Sequence, residues 1–191
     1  MSRPTVTWGL LALAACAVAV VLGVAVLLDV AKPVSGAVPD YRVVSLGGLQ
    51  YEAISFRRIK PTEPVDAEIV RGVPARELRL ARGQSLLGVF VAVSNDSLRS
   101  LPAAGRIELR DANGRVYRPL PLPAANPYAY VPRLVPPKTR LPGHESAADR
   151  NLAAEGDLVL FRAADASIDA GPLELVIHDP RDPRRTTSLF D

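Results

Sequence analysis

The chain has 191 residues, with 23 Lys and Arg against 20 Asp and Glu, and a single cysteine. Near-balanced charge gives no basic stripe for nucleic acid, and one cysteine excludes an internal disulfide framework. Beyond its N-terminal segment the length suits one domain, large enough to bury a core without metal or disulfide.

Residues 8–28, from Trp8 to Leu28, contain no charged or strongly polar side chain. At about 1.5 Å per residue such a run spans the roughly 30 Å of a bilayer core, so it predicts a transmembrane helix. Residues 1–7 then form a short cytoplasmic tail, and the balance of Arg3 against Asp29 and Lys32 only weakly sets orientation. The layout of a small tail, one span and a Pro-rich domain places the N-terminus inside and the C-terminal domain outside, in a single-pass cell-membrane protein. A signal peptide is the alternative: Ser35 and Ala37 are small residues at the positions a signal peptidase reads, and cleavage after Ala37 would give a secreted protein. Leu13-Ala14-Ala15-Cys16 has the form of a lipidation box, but twelve more apolar residues follow Cys16, where a polar tether belongs.

Residues 29–40, with Pro33, Gly36 and Pro39, read as a tether, and a β-sandwich is expected over residues 41–180. Its first strands are residues 41–44 and 49–59, joined through Gly47-Gly48. In the second, Tyr51 and Ala53 share one alternation while Ile54 and Phe56 share the other, which predicts a bulge. Residues 61–74 read as a loop with at most a short pairing around 67–70. Residues 86–93, Leu-Leu-Gly-Val-Phe-Val-Ala-Val, are apolar on both faces and predict a central strand covered on both sides. Residues 107–110 and 115–118 alternate as a half-buried hairpin around Asp111-Ala112-Asn113-Gly114. Asp111 and Asn113 also open a calcium-loop pattern, which Arg115 and Val116 break, so no metal is expected.

Residues 120–142 are dense in proline, with Pro121, Pro123, Pro127, Pro132, Pro136 and Pro137, and predict a loop or extended crossover, and residues 144–154 could hold one helical turn. Strands at 157–162 and 173–178 precede a polar tail, residues 181–191. Between residues 97 and 143 eight basic residues face two acidic ones, whereas residues 144–180 carry eight acidic and two basic. Two explanations fit: a basic face near anionic lipid heads or wall polymers, or neighbouring strands that neutralise one another, the latter being the ordinary arrangement.

His144 and His178 have no partner at metal spacing and read as solvated surface residues. No zinc-protease helix, nucleophile elbow or phosphate loop is present, and no cofactor is implied. Residues 126–133 set Tyr128, Tyr130 and Arg133 on a Pro-bounded loop. Such residues are favoured at binding hot spots, although tyrosines that cap the open end of a core are the more ordinary arrangement; as a binding loop, the segment should be changeable without disturbing the sheets.

Gly88-Val89-Phe90-Val91-Ala92-Val93-Ser94-Asn95-Asp96-Ser97, the hairpin from Ile107 to Tyr117, and Gly156-Asp157-Leu158-Val159-Leu160-Phe161 together carry a resemblance. The chain resembles the bacterial immunoglobulin-like ectodomain family related to the mycobacterial immunoprotective extracellular antigen, over most of residues 49–179. The resemblance implies an immunoglobulin-like antiparallel β-sandwich, all-β after the transmembrane helix, in exported or membrane-tethered proteins mostly without a defined activity. It carries over no functional residue, and the long excursion from Gly143 to Gly156 and the Pro-dense loop depart from it. The expectation is a non-catalytic extracytoplasmic domain with a binding or accessory role at the cell envelope, its partner an envelope protein or polymer. The alternatives are a structural subunit of an envelope complex, a secreted antigen-like protein, or an unrecognised hydrolase.

Overall fold

The computed structural model describes residues 43–150 and 155–189. The chain divides into two units, Met1–Ser35 and Gly36–Asp191, and the described residues all belong to the second. The apolar run, the tether, Cys16 and the Ala37 cleavage position lie outside the described residues. No helix among the described residues is long and apolar enough to cross a membrane.

The architecture is mostly antiparallel β-sheet. Among the described residues the strands are β1 (Val43–Leu46), β2 (Leu49–Ile59), β3 (Gln84–Asn95), β4 (Leu101–Pro102), β5 (Ile107–Arg110), β6 (Val116–Tyr117), β7 (Leu134–Val135), β8 (Thr139–Leu141), β9 (Asp157–Ala164), β10 (Glu174–His178) and β11 (Thr186–Leu189). Four short helices join them: α1 (Pro64–Ile69), α2 (Ala75–Leu78), α3 (Ala147–Arg150) and α4 (Asp165–Asp169). One sheet runs β1-β2-β3, with β8 and β9 both on the far side of β3; a second runs β11-β10-β5-β6; β4 and β7 form a small third.

The strand β3 is central because its sequence offers it no wet face. From Leu86 to Val93 every residue is buried. Leu87, Val89, Val91 and Val93 point toward the second sheet, into a core with Leu109, Leu175 and Ile177. Leu86 and Phe90 point the other way, into a second core with Ile69, Val70, Leu158 and Leu160. The two periods of the strand thus feed two separate cores. Gly88 lies on the second face because nothing larger fits: a Cβ there would stand 2.9 Å from Ile59 Cδ1 and 3.0 Å from Leu158 Cδ1.

In β2 the register shifts between Ala53 and Ser55, so that Ile54 is the extra residue. Tyr51 and Ala53 before it, and Phe56 after it, all meet the first core. The bulge reverses the alternation, as the sequence demands. The β1–β2 hairpin turns through Gly47 at φ 61° and Gly48 at φ 86°, a pair of positive values that side chains with a Cβ resist.

Three sequence expectations need correction. Residues 61–74 are not a loop with a short strand pairing: Pro64 opens α1, whose Ile69 is buried in the second core. Proline is at home in a first helical turn, where its missing N–H costs nothing. The β-structure does not end at residue 180, since β11 pairs with β10 and buries Leu189. The Thr-Thr-Ser run that disguised it has the composition of an edge strand wet on one face. The 120–142 segment, mostly irregular as expected, also supplies β7 and β8, the latter paired with Val93–Asn95 at the end of β3.

The charge asymmetry along the chain is resolved partly by pairing. Glu174 lies opposite Arg110 in the register, with Nη1 3.3 Å from Oε2. Arg140 meets Asp149 at 2.5 Å.

Replacing Val91 by Asp should abolish cooperative unfolding, because a carboxylate there meets neither water nor a partner, at a cost of several kcal/mol. His144→Ala, at an exposed side chain, should leave the melting temperature within about a degree. Equal melting temperatures for the two variants would remove Val91 from the core.

Candidate functional site

An edge strand of a sheet must be covered or it recruits other chains, and β9 is such an edge. The Pro-dense segment covers it. Leu120 N–H donates to Leu160 O at 2.7 Å, Leu158 N–H donates to Tyr128 O at 2.6 Å, and Tyr130 N–H donates to Leu158 O at 3.0 Å. Asn126, buried, latches this strap to the end of α1: its Nδ2 donates to Ile69 O and Arg71 O at 2.8 and 3.0 Å, while its Oδ1 accepts from Tyr128 N–H at 2.8 Å. Prolines suit the remaining positions, which need no donor.

Where the two arms of the strap part, they leave an open cleft of about 610 Å³. Leu158 to Leu160 of β9 form its floor, residues 118–122 one wall, Tyr130 and Pro132 the other, and residues 105–108 its end. The lining is apolar apart from Arg106, Arg118 and Glu108. Glu108 Oε1 receives Arg106 Nη2 at 2.8 Å, and its Oε2 lies 3.2 Å from His178 Nε2. Burial pushes the Glu108 carboxyl up, and the hydrogen bonds from Arg106 and His178 outweigh it, leaving the group below its ordinary value. Arg118 makes no ion pair among the described residues and stands free at the mouth.

The residues singled out from sequence are separated by the fold. Tyr128 is only 9% exposed and packs in the second core. Tyr130 is half-buried against the first core, and its hydroxyl donates to Ala104 O at 2.9 Å; burial and the neighbouring charges push that hydroxyl's pKa well up. Tyr130 alone of the three lines the cleft, and Arg133 is exposed. The strap is therefore part of the fold it covers. His178, read as solvated, is instead 12% exposed at its side chain and sits against Glu108, because strand alternation places both on the outer face of the second sheet. His144 is exposed as expected.

The sequence reading missed Asp157. It shares the alternation of Val159 and Phe161 and so opens β9 facing the first core, with 5% exposure and no side-chain hydrogen bond among the described residues. Burial pushes its pKa up to about 6, tempered by the nearby Arg133. A charge placed in phase with an apolar strand was the available signal. Asp111, by contrast, organises its turn: it accepts Ser167 Oγ–H at 2.6 Å and the amides of Asn113 and Arg115, and the Ser167 bond leads in holding its carboxyl below the usual range.

Nothing in the described residues positively indicates an enzyme. No group of three or more His, Cys, Asp or Glu among them is placed to hold a metal. The cleft can receive an extended apolar segment and present a guanidinium to an anionic group on it.

Two predictions follow from these positions. Below the ordinary aspartate range both folded and unfolded chains hold the Asp157 proton, and between there and about 6 only the folded chain keeps it. Stability should therefore fall as pH rises across that window, by on the order of 3 kcal/mol, and level off above it. Glu108 and Asp111, with lowered values, act oppositely, at and below their ordinary carboxylate range, so that only the Glu108 effect overlaps the lowest part of that window. Denaturant melts from pH 4 to 8 should show this decline in the wild type and its loss in Asp157→Asn; a wild-type stability that rises over that range contradicts the placement. Tyr128→Ala should cost about 2–4 kcal/mol as a core truncation, against under about 0.5 for Arg133→Ala. A Tyr128→Ala variant as stable as wild type would free that ring from the core.

No protein-family model matches the chain. No curated protein matches it either. Among solved structures, the yjhA protein from Bacillus subtilis aligns with 72% of this chain and 77% of its own length, at 10% identity and a TM-score of 0.40. At that score the architecture stands on the register of its own strands.

Proposed function

We propose that the chain is a non-catalytic, membrane-anchored extracytoplasmic domain that binds an extended envelope component through the cleft beside the Pro-dense strap. The observation carrying the binding reading is that cleft: an open trough lined mainly by apolar side chains, with Arg118 on its wall and in no ion pair among the described residues. Apolar walls that keep their shape because the strap is hydrogen-bonded to β9 lose little entropy on binding. The anchoring rests on the uninterrupted apolar run at residues 8–28. Two antiparallel sheets around a shared core agree with the immunoglobulin-like sandwich that the sequence resemblance implies.

Added protease should digest the domain on intact cells and leave a membrane fragment containing Cys16. Protection until lysis would contradict the orientation, and a mature chain beginning at Val38 would contradict the anchor. A photo-crosslinking residue at Pro121, exposed on the cleft wall, should give a discrete adduct in intact membranes that Arg118→Glu reduces about tenfold, as loss of a central charged contact would. The same label at Ala112, exposed in the β5–β6 turn, should give none. Equal adducts at both positions, or none at Pro121 in cells whose domain is protease-accessible, would overturn the binding reading.

A further inference from the structure

A second feature lies away from this cleft, at the end of the sheets where β1 turns into β2. The Gly47-Gly48 turn, the segment after β3 and the segment between β10 and β11 converge there around a cavity of about 380 Å³, lined by Ser97, Arg99, Arg181 and Arg185 among others. From the rim projects Leu98, 83% exposed, the most exposed large hydrophobic side chain among the described residues.

Leu98 is held out on a rigid support. Asn95, at the end of β3 and fully buried, places Nδ2 within 2.8–3.0 Å of the carbonyls of Arg99, Val135 and Pro136. Its Oδ1 accepts from Ser97 N–H at 3.0 Å, and Arg99 N–H donates to Ser97 Oγ at 3.2 Å. Both neighbours of Leu98 are thus pinned, so the side chain has no local route back to the core.

The cavity beside it is rich in cations: Arg99, Arg181 and Arg185 line it with Asp179 and Asp182, and Arg184 lies on the same β10–β11 segment. The aspartates of the β10–β11 segment hold the loop: Asp179 Oδ1 accepts Arg181 N–H at 2.9 Å, and Asp182 Oδ1 accepts Arg184 N–H at 3.1 Å. Lys138 Nζ donates to Asp96 O at 2.5 Å. Arg185 lies 3.8 Å from Asp179, while Arg99, Arg181 and Arg184 have no ion pair among the described residues. A fixed apolar tip beside guanidiniums without ion pairs among the described residues matches the two layers of a lipid interface, acyl carbon beneath phosphate.

The chain length permits contact. Fourteen residues separate Leu28 from Val43, enough to reach about 45 Å when extended, and β1 carries the chain only four residues further to this turn.

We propose that this end of the domain docks on an anionic bilayer surface, Leu98 entering the interface and the guanidiniums of Arg99, Arg181 and Arg184 meeting lipid phosphates. The proximity it assumes rests on the anchored reading above; the chemistry of the tip does not.

The full chain carrying Cys16→Ala and Leu98→Cys, labelled at position 98 with an environment-sensitive fluorophore, is reconstituted with phosphatidylcholine vesicles, with or without phosphatidylglycerol. A second sample carries the label at Ala112→Cys, in the β5–β6 turn at the opposite end of the second sheet. With phosphatidylglycerol present, the label at position 98 should shift to the blue and be quenched by nitroxide-bearing lipids severalfold more than the label at 112. The combination Arg99→Glu with Arg181→Glu, or added salt, should reverse both changes. Identical spectra with and without phosphatidylglycerol would overturn the proposal, as would equal quenching at both positions. Reversal by inorganic phosphate well beyond chloride of equal ionic strength would assign the cavity to a small anion and also overturn it. Alkaline extraction of the chain from neutral vesicles would contradict the anchor alone, and the position-98 label with added anionic vesicles would still read the tip.

Discussion

A strand with no solvent-facing side must be covered twice, and that requirement organises this domain. β3 presents Leu87, Val89, Val91 and Val93 to one core and Leu86, Gly88 and Phe90 to another. The second sheet closes the first core. No third large sheet is available for the other, so α1, α3 and the Pro-dense strap close it, through Ile69, Ala148, Tyr128, Leu120 and Leu122. Two unlike covers leave unlike surfaces: a sheet face carrying Glu108 and His178, and a stiff strap whose parted arms form the cleft. Functional geometry here is a by-product of covering hydrophobic strands, fixed by backbone hydrogen bonds to the β9 edge.

How much was legible in the sequence depended on whether the signal was periodic. The apolar run of β3, the phase reversal around Ile54 and the Asp111–Gly114 turn are local patterns, and each element formed where its pattern lay. The helix α1 escaped because two turns with a leading proline leave too short a trace to show a 3.6-residue period. β11 escaped because only Leu189 of its four residues meets the core. The site residues were harder still. Nothing near Tyr128 reveals that Ile69 waits to pack with it or that Asn126 latches to the end of α1, since those contacts join residues far apart in the chain. Asp157 was visible as a charge in the inward phase of β9, but its lack of a partner is a property of the assembled core.

Charge distribution follows the same division. Within the sheets the basic and acidic segments of the chain meet, as Arg110 with Glu174, and neutralise one another. At the ends of the sheets the pairing is sparser, Arg185 with Asp179 at 3.8 Å being one contact there. Among the described residues Arg118 has no ion pair at the cleft, and Arg99, Arg181 and Arg184 have none near the Gly47-Gly48 turn, where Asp179 and Asp182 are engaged in holding backbone turns. Free guanidiniums on rigid loops are the groups this molecule presents to whatever it meets.

The claim on which the rest depends is that β3 is the shared wall of both cores and opens only when the whole domain does. Native-state amide exchange tests it directly: the amides from Leu86 to Val93 should exchange only through global unfolding, and truncating Ile69 in the second core should lower their protection by the full loss of stability. Exchange at β3 that is faster than at β10, or unchanged by the Ile69 truncation, would contradict it.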